Sequence, residues 1–290
     1  MHQENAAPTL TNEGRPRELE DWLNAKLYHP LSMRLAKGLV PTPVTPNMVS
    51  IAGGAMIIVA AVVYGLSGSW MGVAFALVLH MSWHVLDGAD GDLARLTGRT
   101  SSTGEVVDGI CDIAGHVVLY VSLGIMLAQE VGSLTAWILA VGAGFGRIVQ
   151  AAHYEVQRRQ YQHWVYDKSW LRASTKTQDK PKGIFGLGAR LYVSLGKLLA
   201  PGGQEVDELV GTSKEPQKSA LLDVIRRETA PVIRSTYLLS ANYRTIALGI
   251  SMLAGSAIYF FIFEAVFLSL VLAVSLRMTS RSALFWGSLL

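Results

Sequence analysis

From about residue 45 onward the chain alternates long apolar runs with short polar connections. Six runs, at approximately 47–67, 70–96, 104–128, 132–158, 238–261 and 264–280, are near or above the ~20 residues a helix needs to cross the hydrocarbon of a bilayer. Ahead of the first, PTPVTPNMVS (41–50) is proline punctuation with Asn47 at a helix start. Residues 1 to about 17 are polar, hold no apolar core of a signal peptide, and read as disordered. From Arg17 to Lys37, Leu19, Trp22, Leu23, Leu27, Leu31 and Leu35 recur at helical spacing, with Lys26, Arg34 and Lys37 between them. That pattern predicts an amphipathic helix, lying on the membrane surface or packed on a soluble lobe.

The stretch 159–237 is too polar to span. QRRQYQHWVYDKSW reads as a continuation of the fourth helix beyond the bilayer. Residues 183–199, with Ile184, Leu187, Leu191, Leu195 and Leu198 on one face, predict an interfacial helix. PGGQEVDELVGTSKEPQ is loop-like, and SALLDVIRRETA predicts a short helix. Gly183, Gly186 and Gly188 do not form a phosphate loop, since no Gly-Lys-Ser/Thr follows. The expected fold is therefore all-α, a six-helix integral membrane bundle. It divides into an arm (1–44), four helices (45–158), an insertion (159–237), and two helices with a tail (238–290).

Composition agrees: 50% of residues are hydrophobic and 16% charged. The net charge of +3 matters less than its distribution. All 25 Lys and Arg fall in the arm, the 95–103 connection, the insertion, the C-terminal end, and the adjoining halves of the fourth and fifth helices. LSGSW, QEVGS and the turn expected around Glu264 hold none. The positive-inside rule then places both termini in the cytoplasm, in a bacterial inner membrane. A single cysteine, Cys111, rules out an intramolecular disulfide and reads as a small packing residue.

The chemistry concentrates between Asp87 and Asp112 (DGADGDLARLTGRTSSTGEVVDGICD). Carboxylates in apolar helices are expensive, and an intramembrane acid is a functional hypothesis by default. Asp87 and Asp90 are three apart, and Asp108 and Asp112 four apart, so each pair shares a helix face. A short turn at about 97–103 makes the two helices antiparallel and lets the pairs meet at one depth, facing the cytoplasm. Four converging carboxylates repel unless cations neutralise them, and all-oxygen ligation suits Mg²⁺ or Mn²⁺ over zinc. Two ions are expected, completed by a substrate diphosphate. Gly88 and Gly91 would let a ligand approach the backbone. Arg95 can pair with a phosphate or a carboxylate. Asp92, about 200° around the helix from Asp90, reads as solvated or salt-bridged.

The run D87-x-x-D90-G91-x-x-A94-R95, eight residues, then G104-x-x-x-D108-x-x-x-D112 resembles the signature of the CDP-alcohol phosphotransferase family at every fixed position. Thr45–Asn47 also resembles the start of that family's first helix, and the likeness covers roughly 45–160 and 238–280. The resemblance implies transfer of a substituted phosphate from a CDP-linked donor such as CDP-diacylglycerol to an alcohol, releasing CMP. It equally accommodates a soluble CDP-alcohol donor with a lipid acceptor. By this likeness Asp87, Asp90 and Asp108 bind the metals, and Asp112 acts as general base and touches one metal. Asn47, Ser50, Gly91, Arg95 and Ser101 would contact the CDP moiety. A homodimer is implied as well, and nucleic acid is not an expected partner.

Three further features lie near this depth. His80 and His84 precede Asp87 by seven and three residues, and His116 follows Asp112 by four. They make a membrane di-iron oxidase a rival, and a divalent-cation transporter is another. The di-iron reading leaves Gly91, Ala94, Arg95 and Gly104 unexplained; histidines so placed more often bond within the bundle or line a pocket. Arg147 and Arg244 are the other notable intramembrane charges. With His116 they are expected to line an acceptor pocket favouring an anionic polyol, such as inositol phosphate or glycerol phosphate. Interfacial snorkelling is the alternative for Arg244.

Overall fold

Short polar caps set the boundaries of the long helices. In the computed structural model, which describes residues 16–168 and 198–288, Thr45 caps α2 (Pro46–Leu66), its side chain accepting from the Met48 N–H. Ser69 caps α3 (Trp70–Thr97), and Ser101 caps α4 (Ser102–Val131), accepting from the Gly104 N–H at 3.0 Å. Such caps satisfy N–H groups that a first helical turn leaves without partners. α3 ends at Gly98, whose φ of 66° is left-handed, as glycine permits. Gly132, with φ 83° and an extended ψ of 153°, separates α4 from α5 (Ser133–Tyr166).

Among the described residues, five helices are long and apolar enough to span: α2, α3, Val106–Val131 of α4, α5 and α9 (Ile258–Gly287). Phe75, Val78, Ile138, Val141 and Phe145 remain exposed on them. So much apolar surface on charge-poor helices fits a lipid surround, and the chain is an all-α, multi-pass membrane protein.

By internal contacts the chain forms two units. One comprises Glu20–Gly146 and Ala241–Val266. Its core joins Ile57, Ala60, Tyr64, Ala76, Trp83, Leu119, Leu123, Leu127, Ala140, Leu248 and Phe261. Small residues set the helix spacing. A Cβ on Gly54 would stand 3.0 Å from the Cys111 carbonyl, and one on Gly115 would meet Ile57 at 3.0 Å. Cys111 is thus a packing residue where α2 crosses α4. The N-terminal helix runs from Trp22 through a π-helical turn, Asn24–Tyr28, into α1 (His29–Leu39). α1 rests on α3: Ser32 Oγ donates to the Val85 carbonyl at 2.9 Å, and Ala36 joins Ala89 and Leu93 in a small core. Trp22 stays 68% exposed, so the apolar positions of this helix do not share one buried face. Burial and the nearby Asp21 push the Tyr28 phenol up to about 12.

The other unit holds the described parts of Met1–Leu19, Arg147–Ser240 and Phe267–Leu290. A polar ladder ties the second half of α5 to the middle of α9: Gln150 to Ser269, His153 to Ser275 and Gln157 to Thr279, at 2.9–3.2 Å. Glu18 accepts from the hydroxyls of Tyr161 and Tyr166. Trp164 donates to Asp207 of α6 (Gly203–Thr212) at 2.7 Å, and Ile225 of α7 (Gln217–Thr236) packs with Trp164 and Trp286.

Several expectations change. The helix expected at 238–261 is α8, Ala241–Leu253, and the turn lies at 254–257, with Gly255 at φ 94°, and not around Glu264. Ser251 secures that turn, donating to the Ser256 carbonyl and accepting from the Phe260 N–H. Glu264 instead sits within α9 in a π-helical turn, Phe263–Phe267. At 13 residues, α8 is about 20 Å long, short of a full span. The loop-like stretch after Pro201 contains α6, and α7 starts two residues before SALLDVIRRETA and runs on past it to Thr236. The fourth helix continues to Tyr166 as expected. The interfacial helix expected over 183–199 lies, up to residue 197, outside the described residues.

Candidate active site

The antiparallel pair α3 and α4, joined by the four-residue turn Gly98–Ser101, brings the two acid pairs together. Asp87, Asp108 and Asp112 each offer a carboxylate oxygen within 4.8 Å of the others. Asp90 is more deeply buried; Ser50 of α2 donates to its Oδ2. Across the helix pair, Asp87 lies within hydrogen-bonding reach of Asp112, and Asp90 of Asp108. Three helices thus contribute to one acidic centre. Like charges this close require protons or cations between them. Half-buried carboxylates with an all-oxygen donor set fit a hard divalent cation, and the three-acid cluster could coordinate one.

Around the acids the remaining predicted residues take specific places. A Cβ on Gly104 would lie 3.3 Å from Ser101 Oγ and 3.5 Å from Asn47 Oδ1, so Asn47 reaches the start of α4. Ser101 serves there as the helix cap. Arg95 folds back along α3: its Nη2 donates to Asp92, and its Nη1 stands 3.3 Å from where a Gly91 Cβ would be. Gly91 therefore makes room for Arg95. Asp92 is fully buried and takes the salt-bridged option of its two expected states. Gly88 accommodates a protein neighbour, since a Cβ there would stand 2.5 Å from Ser32 Oγ. The expectation that Gly88 opens the backbone to a ligand is corrected accordingly.

His116 donates from Nδ1 to the Asp112 main-chain carbonyl at 2.8 Å. Arg244 is buried rather than snorkelling, with Nη1 donating to the equally buried Glu264 at 2.6 Å. The two charges neutralise each other inside the bundle. Arg147 belongs to the other unit.

Sequence reasoning missed several partners. Trp83 donates from Nε1 to Asp112 Oδ1 at 2.7 Å. His84 shares a 2.8 Å hydrogen bond with Thr245 of α8. Asp21 accepts from Asn242 at 2.9 Å. His84 bonds within the bundle as expected, and only its partner went unnamed; of the other two, only Trp83 carried a signal, one helical turn before Asp87 on the same face.

The sequence profile of the CDP-alcohol phosphatidyltransferase family matches residues 43–195, slightly more than half of the chain. The match contains every acid of the centre and extends past residue 160, while 238–280 lies outside it. None of the curated proteins compared with the chain matches it. With its signature residues converging across α2, α3 and α4, the chain belongs to the CDP-alcohol phosphatidyltransferase family of transferases.

Proposed function

We propose that this protein transfers the phosphatidyl group of CDP-diacylglycerol to a hydroxyl of a polyol or polyol phosphate, such as inositol phosphate or glycerol phosphate, and releases CMP. The observation that carries the reading is the convergence of Asp87, Asp108 and Asp112 within 4.8 Å, with Asp90 joined to it, inside a family match that contains all four. Asp87, Asp90 and Asp108, together with Asp112, would hold two Mg²⁺ or Mn²⁺ ions. When bound, such ions supply neutralisation of the diphosphate and of the departing CMP.

Asp112 takes the proton of the acceptor hydroxyl. The acceptor oxygen bonds to the phosphorus carrying the diacylglycerol, the bond from that phosphorus to the bridging oxygen breaks, and CMP leaves with the electron pair. Asn47, Ser50, Gly91, Arg95 and Ser101 contact the CDP moiety in this reading, and exchange of Arg95 from Asp92 toward phosphate would supply a cation. His116 and Arg147 serve the acceptor. Arg244, held by Glu264, contributes through the α8–α9 framework. The reading also takes α8 as a sixth crossing, a cytoplasmic acidic centre, and a homodimer.

The test is turnover by purified protein with CDP-diacylglycerol, Mg²⁺ or Mn²⁺ and a panel of alcohols, following CMP and the lipid product. Metal-dependent CMP release with one preferred alcohol is expected. A soluble CDP-alcohol with diacylglycerol is the second arm, and activity there alone reverses the donor assignment. No CMP from any CDP-linked donor overturns the reading. Cation flux without CMP, or bound iron with an oxygen requirement, would then favour a transporter or an oxidase. Acceptor KM and choice unchanged in Arg147→Ala would remove that residue from the acceptor site.

A further inference from the structure

The torsion that sets the plane of an aspartate carboxylate is broad and weakly restrained by the side chain itself. Proton transfer nevertheless needs the accepting oxygen within about 2.6–3.2 Å of the hydroxyl. Something outside Asp112 must hold its plane. Trp83 lies on α3 one turn before Asp87, is 4% exposed, and donates its indole N–H to Asp112 Oδ1 at 2.7 Å. Indole suits the task. It has one donor, no acceptor and no charge, so it neither competes for the proton nor opposes a cation at the neighbouring acids.

The indole is itself fixed from several directions. The His84 ring lies 4.3 Å from it, centroid to centroid, and is hydrogen-bonded to Thr245 of α8. The His116 ring meets it edge-on at 4.7 Å and 77°, anchored by its bond to the Asp112 carbonyl. On α2, a Cβ at Gly53 would come within 3.4 Å of Trp83 Cδ1. The histidines that extend the acid faces into the bundle therefore brace a tryptophan.

We infer that Trp83 is a positioning residue for the transfer step, its indole N–H setting the plane of the Asp112 carboxylate toward the acceptor hydroxyl. This rests on the assignment of Asp112 as base. Two substitutions test it: Trp83→Phe, and replacement of Trp83 by its benzothienyl isostere, in which sulfur stands for the N–H. Each is compared with wild type for kcat at saturating acceptor over a Mn²⁺ titration, donor KM, and thermal midpoint.

The expected result is a kcat lowered about tenfold to a hundredfold in both, the effect of removing a hydrogen bond to a charged group. Donor KM should stay within about twofold of wild type, kcat should stay low at saturating Mn²⁺, and the isostere should keep the wild-type midpoint. Wild-type kcat in the isostere overturns the inference while leaving the proposed function standing. So does a loss that saturating Mn²⁺ restores, or one seen as raised donor KM, which would make Trp83 a support of the metal-binding cluster and not of the base. A wild-type protein inactive on every CDP-linked donor removes both the function and the inference.

Discussion

Ser50 shows how a neutral side chain can govern an acidic centre. Its hydroxyl donates to Asp90, the most buried of the four acids, and so orients that carboxylate. Partners of this kind typically change metal affinity or activity by about 10–100-fold when removed. Ser50→Ala should therefore raise the Mn²⁺ concentration for half-maximal turnover by about tenfold or more, measured by metal titration, while the thermal midpoint stays near wild type. An unchanged metal requirement would separate Ser50 from the centre. Asp108→Asn should be more severe, losing at least about a hundredfold in kcat/KM, because it removes a carboxylate from the cluster itself.

At the scale of elements, the site depends on how closely α2 and α4 approach. Gly54 faces the Cys111 carbonyl, and main-chain atoms cannot swing aside as a side-chain tip can. Gly54→Ala should force the helices apart, costing about 1–3 kcal/mol by overpacking. It should also lower activity, because Ser50 and Asp90 are matched across one edge of the contact and Asp108 and Asp112 lie along the other. Thermal unfolding in detergent together with kcat checks both parts. The α8–α9 pairing gives a second case. Glu264→Gln leaves Arg244 buried without its counter-charge, a defect of about 3–5 kcal/mol. Its thermal midpoint should fall sharply, and Arg244→Met combined with Glu264→Leu should recover most of the loss. The acids and their spacing were legible in the sequence because helical periodicity alone puts them on shared faces. The α8–α9 turn was not. Glu264 imitates a turn residue in a hydropathy pattern, because the charge that compensates it stands twenty positions away on another helix. Trp83 was overlooked for a related reason: an indole in an apolar run reads as packing until a distant carboxylate gives its N–H a purpose.

For the whole molecule, the distribution of charge and the helix lengths make competing demands. Every Lys and Arg lies on one side of the expected topology, which needs six crossings to return the C-terminal basic residues Arg277 and Arg281 to the side of Arg95 and Arg99. Yet α8, at 13 residues, is shorter than the ~20 a straight span uses. A short helix can still complete a crossing when the bilayer thins around it, or when flanking residues snorkel to the surface. The proposed topology gives the positive-inside pattern more weight than the length deficit, because each basic residue moved to the far side opposes the orientation set by all the others. Labelling resolves the matter. In a Cys111→Ser background, a membrane-impermeant maleimide on intact cells should reach Gly68→Cys, Gly132→Cys and Ser256→Cys. Arg99→Cys, Lys214→Cys and Ser288→Cys should react only after lysis. Protection of Ser256→Cys together with exposure of Ser288→Cys would mean that α8 does not cross. The chain would then have five spans, and α9 would run opposite to the direction its basic residues favour.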